Sequence, residues 1–168
     1  CNLLYKDFKP TFLVIADKHL IPEIVDSKYC NDNIVYSNMK NIRQFPNNFH
    51  LYPYYYNAPI GVLAAHIAAA DGHETVYLLG FDWYKSGNEN IYLDHNERYQ
   101  FVENVDAVNQ KFTSSLCKLI ELYQDTQFVR VTDNNSSVYP DELNWFENFR
   151  CIHYARYTSE AQLGAIAK

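Results

Sequence analysis

At 168 residues, 48% of them hydrophobic, the chain is long enough to bury one substantial core and too short for two ordinary domains, so a single domain over residues 1–168 is expected. A formal net charge of −6 supplies no basic field for a polyanion, which argues against nucleic acid and anionic membrane surfaces as partners. No apolar run approaches the roughly 20 residues that span a bilayer, and the start lacks the charged-then-apolar layout of a signal peptide, so the chain reads as cytoplasmic with no transmembrane segment.

The four cysteines, at 1, 30, 117 and 151, form no CxxC pair and read as reduced, buried thiols. Because the chain opens on Cys1 and not on methionine, it reads as a piece of a longer protein.

In chain order, Thr11 to Ala16 (TFLVIA) is a short apolar, β-branched run that predicts a strand, and the polar-apolar stretch from Asp17 to Val25 predicts a helix. Asn33 to Ser37 (NIVYS) and Asn48 to Tyr52 (NFHLY) predict short strands, with a turn of helix between them over Asn38 to Gln44. Tyr52, Tyr54, Tyr55 and Tyr56 then cluster, either lining a pocket or packing a sheet edge. From Asn57-Ala58-Pro59-Ile60-Gly61 the chain enters Val62 to Ala70, a helix apolar on nearly every side, which must therefore be buried against a sheet. Pro59 suits its first turn and Gly72 its C′ position.

Thr75 to Leu79 (TVYLL) predicts a central strand ending at Gly80-Phe81-Asp82, and Lys85 to Asn96 is a polar loop of the length that carries function or disorder. Val105, Val108, Phe112, Leu116, Leu119 and Tyr123 recur at helical spacing, predicting a helix over about Glu103 to Tyr123. Gln127 to Thr132 (QFVRVT) predicts another strand, and Pro140 to Tyr157 a short helix with Leu143, Trp145, Phe146 and Phe149 partly buried. Strands alternating with helices define an α/β fold, a Rossmann-like, mostly parallel sheet with helices on both faces. Such sheets take ligands outside the carboxyl ends of their strands, here after Tyr52 and after Leu79.

The start of the Pro59 helix offers unpaired N–H groups and the positive end of a helix dipole, and Gly61 allows a ligand, or simply a neighbouring strand, to approach closely. Asp82 suits a ribose hydroxyl or a turn cap; Tyr84 and Tyr92 suit phosphate oxygens or ordinary packing. Asp94-His95-Asn96-Glu97-Arg98 holds a base with orienting partners, or is a solvated charged turn. The remaining histidines lack metal-ligand spacing, and His66 reads as a satisfied core histidine.

The run from Asn57 through the helix to Tyr77-Leu78-Leu79-Gly80-Phe81-Asp82-Trp83-Tyr84 resembles the bacterial lipooligosaccharide sialyltransferases (glycosyltransferase family 42), and more broadly the MptE-like pterin diphosphokinase proteins. Cys1-Asn2, with Tyr5, Phe8 and the strand at Phe12, also resembles the segment after that family's first strand-helix unit. Where those sialyltransferases carry Arg-Ile-Thr-Ser-Gly, this chain has Asn57-Ala58-Pro59-Ile60-Gly61 and so lacks the arginine and both hydroxyls.

The resemblance implies that Asn2 touches a cytidine nucleotide, that Asn57, Pro59, Ile60 and Gly61 form the turn beside sugar and phosphate, that Tyr84 and Tyr92 hold phosphate, and that His95 is the catalytic base. It implies transfer from a CMP-sugar such as CMP-sialic acid to a glycan acceptor, with no metal or other cofactor, and is compatible with a homo-oligomer. The diphosphokinase alternative would hold a divalent metal through Asp82 and Asp94, and a third alternative is a non-catalytic nucleotide-binding domain.

Overall fold

The computed structural model describes residues 2–52, 57–83, 104–133 and 139–159. The chain groups into two compact units, Cys1–Ile67 and Ala68–Lys168.

In the first unit, β1 (Phe12–Val14), β2 (Ile34–Ser37) and β3 (His50–Leu51) form a parallel sheet in that order. Phe12 sits opposite Ile34, and Tyr36 opposite His50. Parallel neighbours need crossovers, supplied by α1 (Ile21–Asp26) with α2 (Tyr29–Asp32) and by α3 (Met39–Gln44). Side chains alternate across a strand, and both faces of this sheet are covered. On one, Ser37 Oγ donates to the Ile15 carbonyl at 2.7 Å and Asn41 Nδ2 of α3 donates to Ser37 Oγ at 3.0 Å. On the other, Val14 packs with Leu63 and Ile67 of α4 (Ile60–Ala70).

The α4 helix is formed as its sequence requires. The Pro59 carbonyl accepts the first helical bond from the Leu63 N–H at 3.0 Å, so the proline stands just before the helix. The Gly72 N–H donates to Ala69 O at 3.1 Å and the His73 N–H to Ala68 O at 3.3 Å, the paired bonds of a Schellman ending. Gly72 has φ +88°, a conformation that costs glycine nothing sterically. Only Ala70 of this helix is exposed; Ile60, Gly61, Ala64 and Ala68 are half-buried, and His66 is buried with the remaining residues.

In the second unit, β4 (Thr75–Leu79), β5 (Gln127–Thr132) and β6 (Phe149–His153) form another parallel sheet, again in chain order. The crossover from β4 to β5 contains α5 (Val105–Leu122), whose first turn is capped by Asn104 Oδ1 accepting from the Ala107 N–H at 2.9 Å. Phe128 through Val131 of the central strand are all buried, the signature of a strand covered on both faces. Val129, Val131 and Ile152 gather on one face with Tyr77 and Tyr157. Asn148 joins the end of α5 to the strands: its Nδ2 donates to the carbonyls of Ile120, Tyr123 and Thr126 at 3.0–3.1 Å.

Among the described residues every strand pairing is parallel, so the α/β class holds, with hydrogen bonding dividing their strands between two three-stranded sheets. Three readings from sequence need correction. Residues 140–157 hold a 3-10 turn (Asp141–Trp145) and then β6, with an α-helix beginning only at 154, and not simply a short helix. Trp145 is 78% exposed while Leu143 is fully buried, so the aromatic spacing there does not trace one apolar face. Cys30, Cys117 and Cys151 are free but only half-buried. Burial still pushes the Cys30 and Cys117 thiols above their ordinary pKa, which favours the protonated form.

Candidate functional site

The turn that follows β4 brings together a connected set of polar groups. Gly80 opens it at φ +70°, and a Cβ built there would meet nothing within 4 Å. Glycine is therefore favoured by the backbone conformation and not by a close neighbour. The turn carries the Phe81 carbonyl and the Asp82 side chain to Arg130, which stands on β5 opposite Leu78 on one side and Cys151 on the other.

Arg130 is 1% exposed. A charge taken so far from water must have its hydrogen-bonding capacity met. Its Nε donates to Phe81 O at 2.7 Å and its Nη2 to Asp82 Oδ1 at 2.9 Å. The guanidinium carbon lies 5.2 Å from the Trp83 ring centroid and 5.6 Å from that of Tyr139, both within cation–π range.

Trp83 is fixed in turn. Its Nε1 donates to Thr113 Oγ1 at 2.8 Å, Thr113 donates to the Asn109 carbonyl within α5, and the Phe112 ring meets Phe81 and Trp83 at 5.4 and 5.3 Å. The Tyr139 hydroxyl donates to Asn144 Oδ1 at 2.6 Å. Burial pushes its pKa up, and the neighbouring Arg130 charge pulls the other way.

The side chain of Asp82, by contrast, is 65% exposed. The result is a carboxylate open to solvent on one side and held by a buried cation on the other, at the carboxyl edge of a parallel sheet. Such a group accepts hydrogen bonds from a hydroxyl or pairs with a cation. At the end of β6, His153 is exposed, with Nε2 3.0 Å from Asp133 O and Nδ1 accepting from the Ala155 N–H at 3.2 Å. Those partners place the proton of the neutral ring on Nε2.

Of the residues singled out from sequence, Asp82 stands in this site. Tyr84, Tyr92 and His95 lie outside the described residues, as do Tyr54, Tyr55 and Tyr56. Asn2 begins a 3-10 turn, Asn2–Lys6, and its side chain is likewise outside the description. Asn57 to Gly61 belong to the first unit, where Asn57 is exposed and Pro59 and Gly61 are half-buried. There Ile60 packs against the Val14, Leu63 and Ile67 cluster, as does Tyr52, so both side chains contribute to the core.

Arg130 was missed from sequence. The available signal was a charged residue in the middle of the apolar run QFVRVT, which a strand buried on both faces tolerates only with a partner.

Among the described residues no group of three or more His, Cys, Asp or Glu side chains is gathered as a metal site, and no helix is long and apolar enough to cross a membrane. Fold and site together define an α/β protein of parallel sheets with a charged carboxyl edge. Compared with protein-family models, curated proteins and solved structures, the chain matches none.

Proposed function

We propose that the chain is the nucleotide-binding part of a sialyltransferase-like, cytoplasmic glycosyltransferase that takes a nucleotide-activated sugar such as CMP-sialic acid. The observation that supports this most is the exposed Asp82 carboxylate, held by Arg130 just beyond the Gly80 turn. It lies in the segment whose sequence resembles those enzymes, at the strand edge where such folds bind nucleotides.

In this reading Asp82 accepts a hydrogen bond from a ribose hydroxyl. The acceptor's hydroxyl oxygen attacks the anomeric carbon of the sugar, the carbon–oxygen bond to phosphate breaks, and CMP departs with the bonding electrons. Tyr84 and Tyr92 donate hydrogen bonds to the phosphate as its charge develops, and His95 takes the proton from the acceptor. The scheme asks for no metal.

Calorimetric titration with CMP, CDP, ATP and UDP, with and without magnesium, tests the reading. Metal-independent CMP binding that Tyr84→Phe weakens is the expected result, with His95→Ala abolishing sugar transfer while leaving CMP affinity in place. Binding of ATP only with magnesium would replace this reading by the diphosphokinase one, and absence of any nucleotide binding would refute both.

A further inference from the structure

The Arg130–Asp82 pair is poorly explained as a device for stability. A buried ion pair often contributes no more than apolar residues of the same volume. Phe128, two residues before Arg130 and so on the same face of β5, is fully buried, which shows that this face accepts apolar side chains. The partner is moreover a 65% exposed carboxylate, which water solvates well without help. What the pair achieves is geometric. One guanidinium grips the Phe81 carbonyl at 2.7 Å and the Asp82 carboxylate at 2.9 Å, so it holds both the main chain entering Asp82 and the side chain leaving it. Trp83, the next residue, lies beside the same guanidinium and is tethered to α5 through Thr113.

We infer that Arg130 is a positioning residue: it aims the Asp82 carboxylate, through Oδ1, so that the other oxygen is presented at a fixed place and angle to a hydroxyl of the bound nucleotide's ribose. This inference rests on the nucleotide reading above and deepens it, because it locates the discrimination between ribose and deoxyribose in a residue that ligand does not touch. A hydrogen bond to a carboxylate is sensitive to direction, and a freely rotating exposed aspartate loses side-chain entropy on every binding event. Fixing that side chain in advance removes the loss.

The test compares CMP with 2′-deoxy-CMP and 3′-deoxy-CMP by calorimetry on the wild-type chain, Arg130→Lys, Asp82→Asn, Asp82→Glu and the Arg130→Lys/Asp82→Asn double variant, each checked for folding by its melting temperature. Wild type should bind CMP about tenfold more tightly than one of the deoxy analogues, the scale of one hydrogen bond to a charged group. Arg130→Lys keeps the charge but cannot make both bonds, so that preference should collapse towards unity while affinity for that deoxy analogue stays close to wild type. The double variant should lose nothing beyond Asp82→Asn.

If Arg130→Lys fails to fold, Asp82→Glu carries the test: it keeps the carboxylate at a solvent-exposed position but shifts it by a methylene, and the preference should again vanish. A preference retained in Arg130→Lys or in Asp82→Glu, or equal weakening of CMP and both analogues, would overturn the inference and leave the nucleotide reading standing. Wild-type binding of CMP with no preference would do the same, whereas no CMP binding by wild type would overturn both.

Discussion

Replacing Asn148 by alanine should cost more stability than almost any other polar substitution in the second unit, and the structure gives the size. One amide nitrogen serves three main-chain carbonyls, those of Ile120, Tyr123 and Thr126, at 3.1, 3.0 and 3.1 Å, and the residue is 8% exposed. An amide has two N–H groups, so two full bonds are shared among three acceptors. Leaving a buried acceptor unpaired costs about 1–3 kcal/mol. Two such losses, partly relieved by water reaching the carbonyls, give about 2–4 kcal/mol for Asn148→Ala. That is a large share of the about 5–15 kcal/mol by which a domain is typically stable. Asn148→Asp should be worse, because an ionised carboxylate donates nothing and sets a negative charge against carbonyls at the end of α5. Urea unfolding at constant m-value measures both. A loss under about 0.5 kcal/mol for the alanine variant, the ordinary surface value, would refute the account.

Other expectations follow from burial, backbone and titration. Leu143→Ala, at a fully buried site, should cost about 2–5 kcal/mol, whereas Trp145→Ala, at a residue 78% exposed, should stay within about 0.5 kcal/mol; thermal melting of the two side by side checks the reversal of the usual order of side-chain size. Gly72→Ala and Gly80→Ala, at φ +88° and +70°, should each cost about 1–2 kcal/mol by backbone strain alone, since neither Cβ would meet a neighbour. Asparagine at either position should recover part of that loss, and equal melting of the glycine and alanine forms would sink the argument.

Burial holds the His66 imidazole below its ordinary pKa of 6.5. The unfolded chain therefore binds the proton more readily, so the contribution of a neutral His66 is complete above that pH and declines as pH falls through it. Urea unfolding at about pH 7 and about pH 5 should show wild type losing more stability than His66→Leu; parallel losses would contradict it.

A parallel strand buried on both faces is a continuous apolar run, which is why QFVRVT coincides with β5. TVYLL coincides with β4, but among the described residues this strand stands at the edge of its three-stranded sheet with exposed and buried residues along it, and not at the centre as expected. The α5 helix was legible for a different reason: its apolar residues keep helical spacing over five turns. The β6 strand, FRCIH, was not legible. It carries an arginine and a histidine, and the upstream aromatics imitate helical spacing although Trp145 turns outward and Phe149 inward. The site was half visible. A Gly-Phe-Asp sequence at a strand end announces a turn with a carboxylate. Its partner Arg130 is 48 residues away, and what joins them is strand register, which local periodicity does not encode.

Each sheet, considered by itself, carries a buried polar network at the carboxyl ends of its strands. In the first, Ser37 ends β2 and bonds the Ile15 carbonyl just beyond β1, with the buried Asn41 bonded to Ser37 in turn. In the second, Arg130 reaches past the end of β4 to Phe81 and Asp82. Elsewhere the strands bury mainly Leu, Val, Ile and Phe. Apolar residues suffice to hold a sheet together, and interchange among them is tolerated so long as volume is conserved. A buried hydrogen-bond network tolerates far less, because each member left unpaired costs its full desolvation. Asn148 and Thr126 form such a network before β5 and β6, at the amino ends of those strands, where it joins helix to strand, whereas the Arg130 network stands at the carboxyl edge, where parallel sheets meet their ligands. What sets the carboxyl edge of the second sheet apart is that its network ends on a carboxylate open to solvent, and that is the physical ground for the proposal that the Asp82 edge binds a ligand.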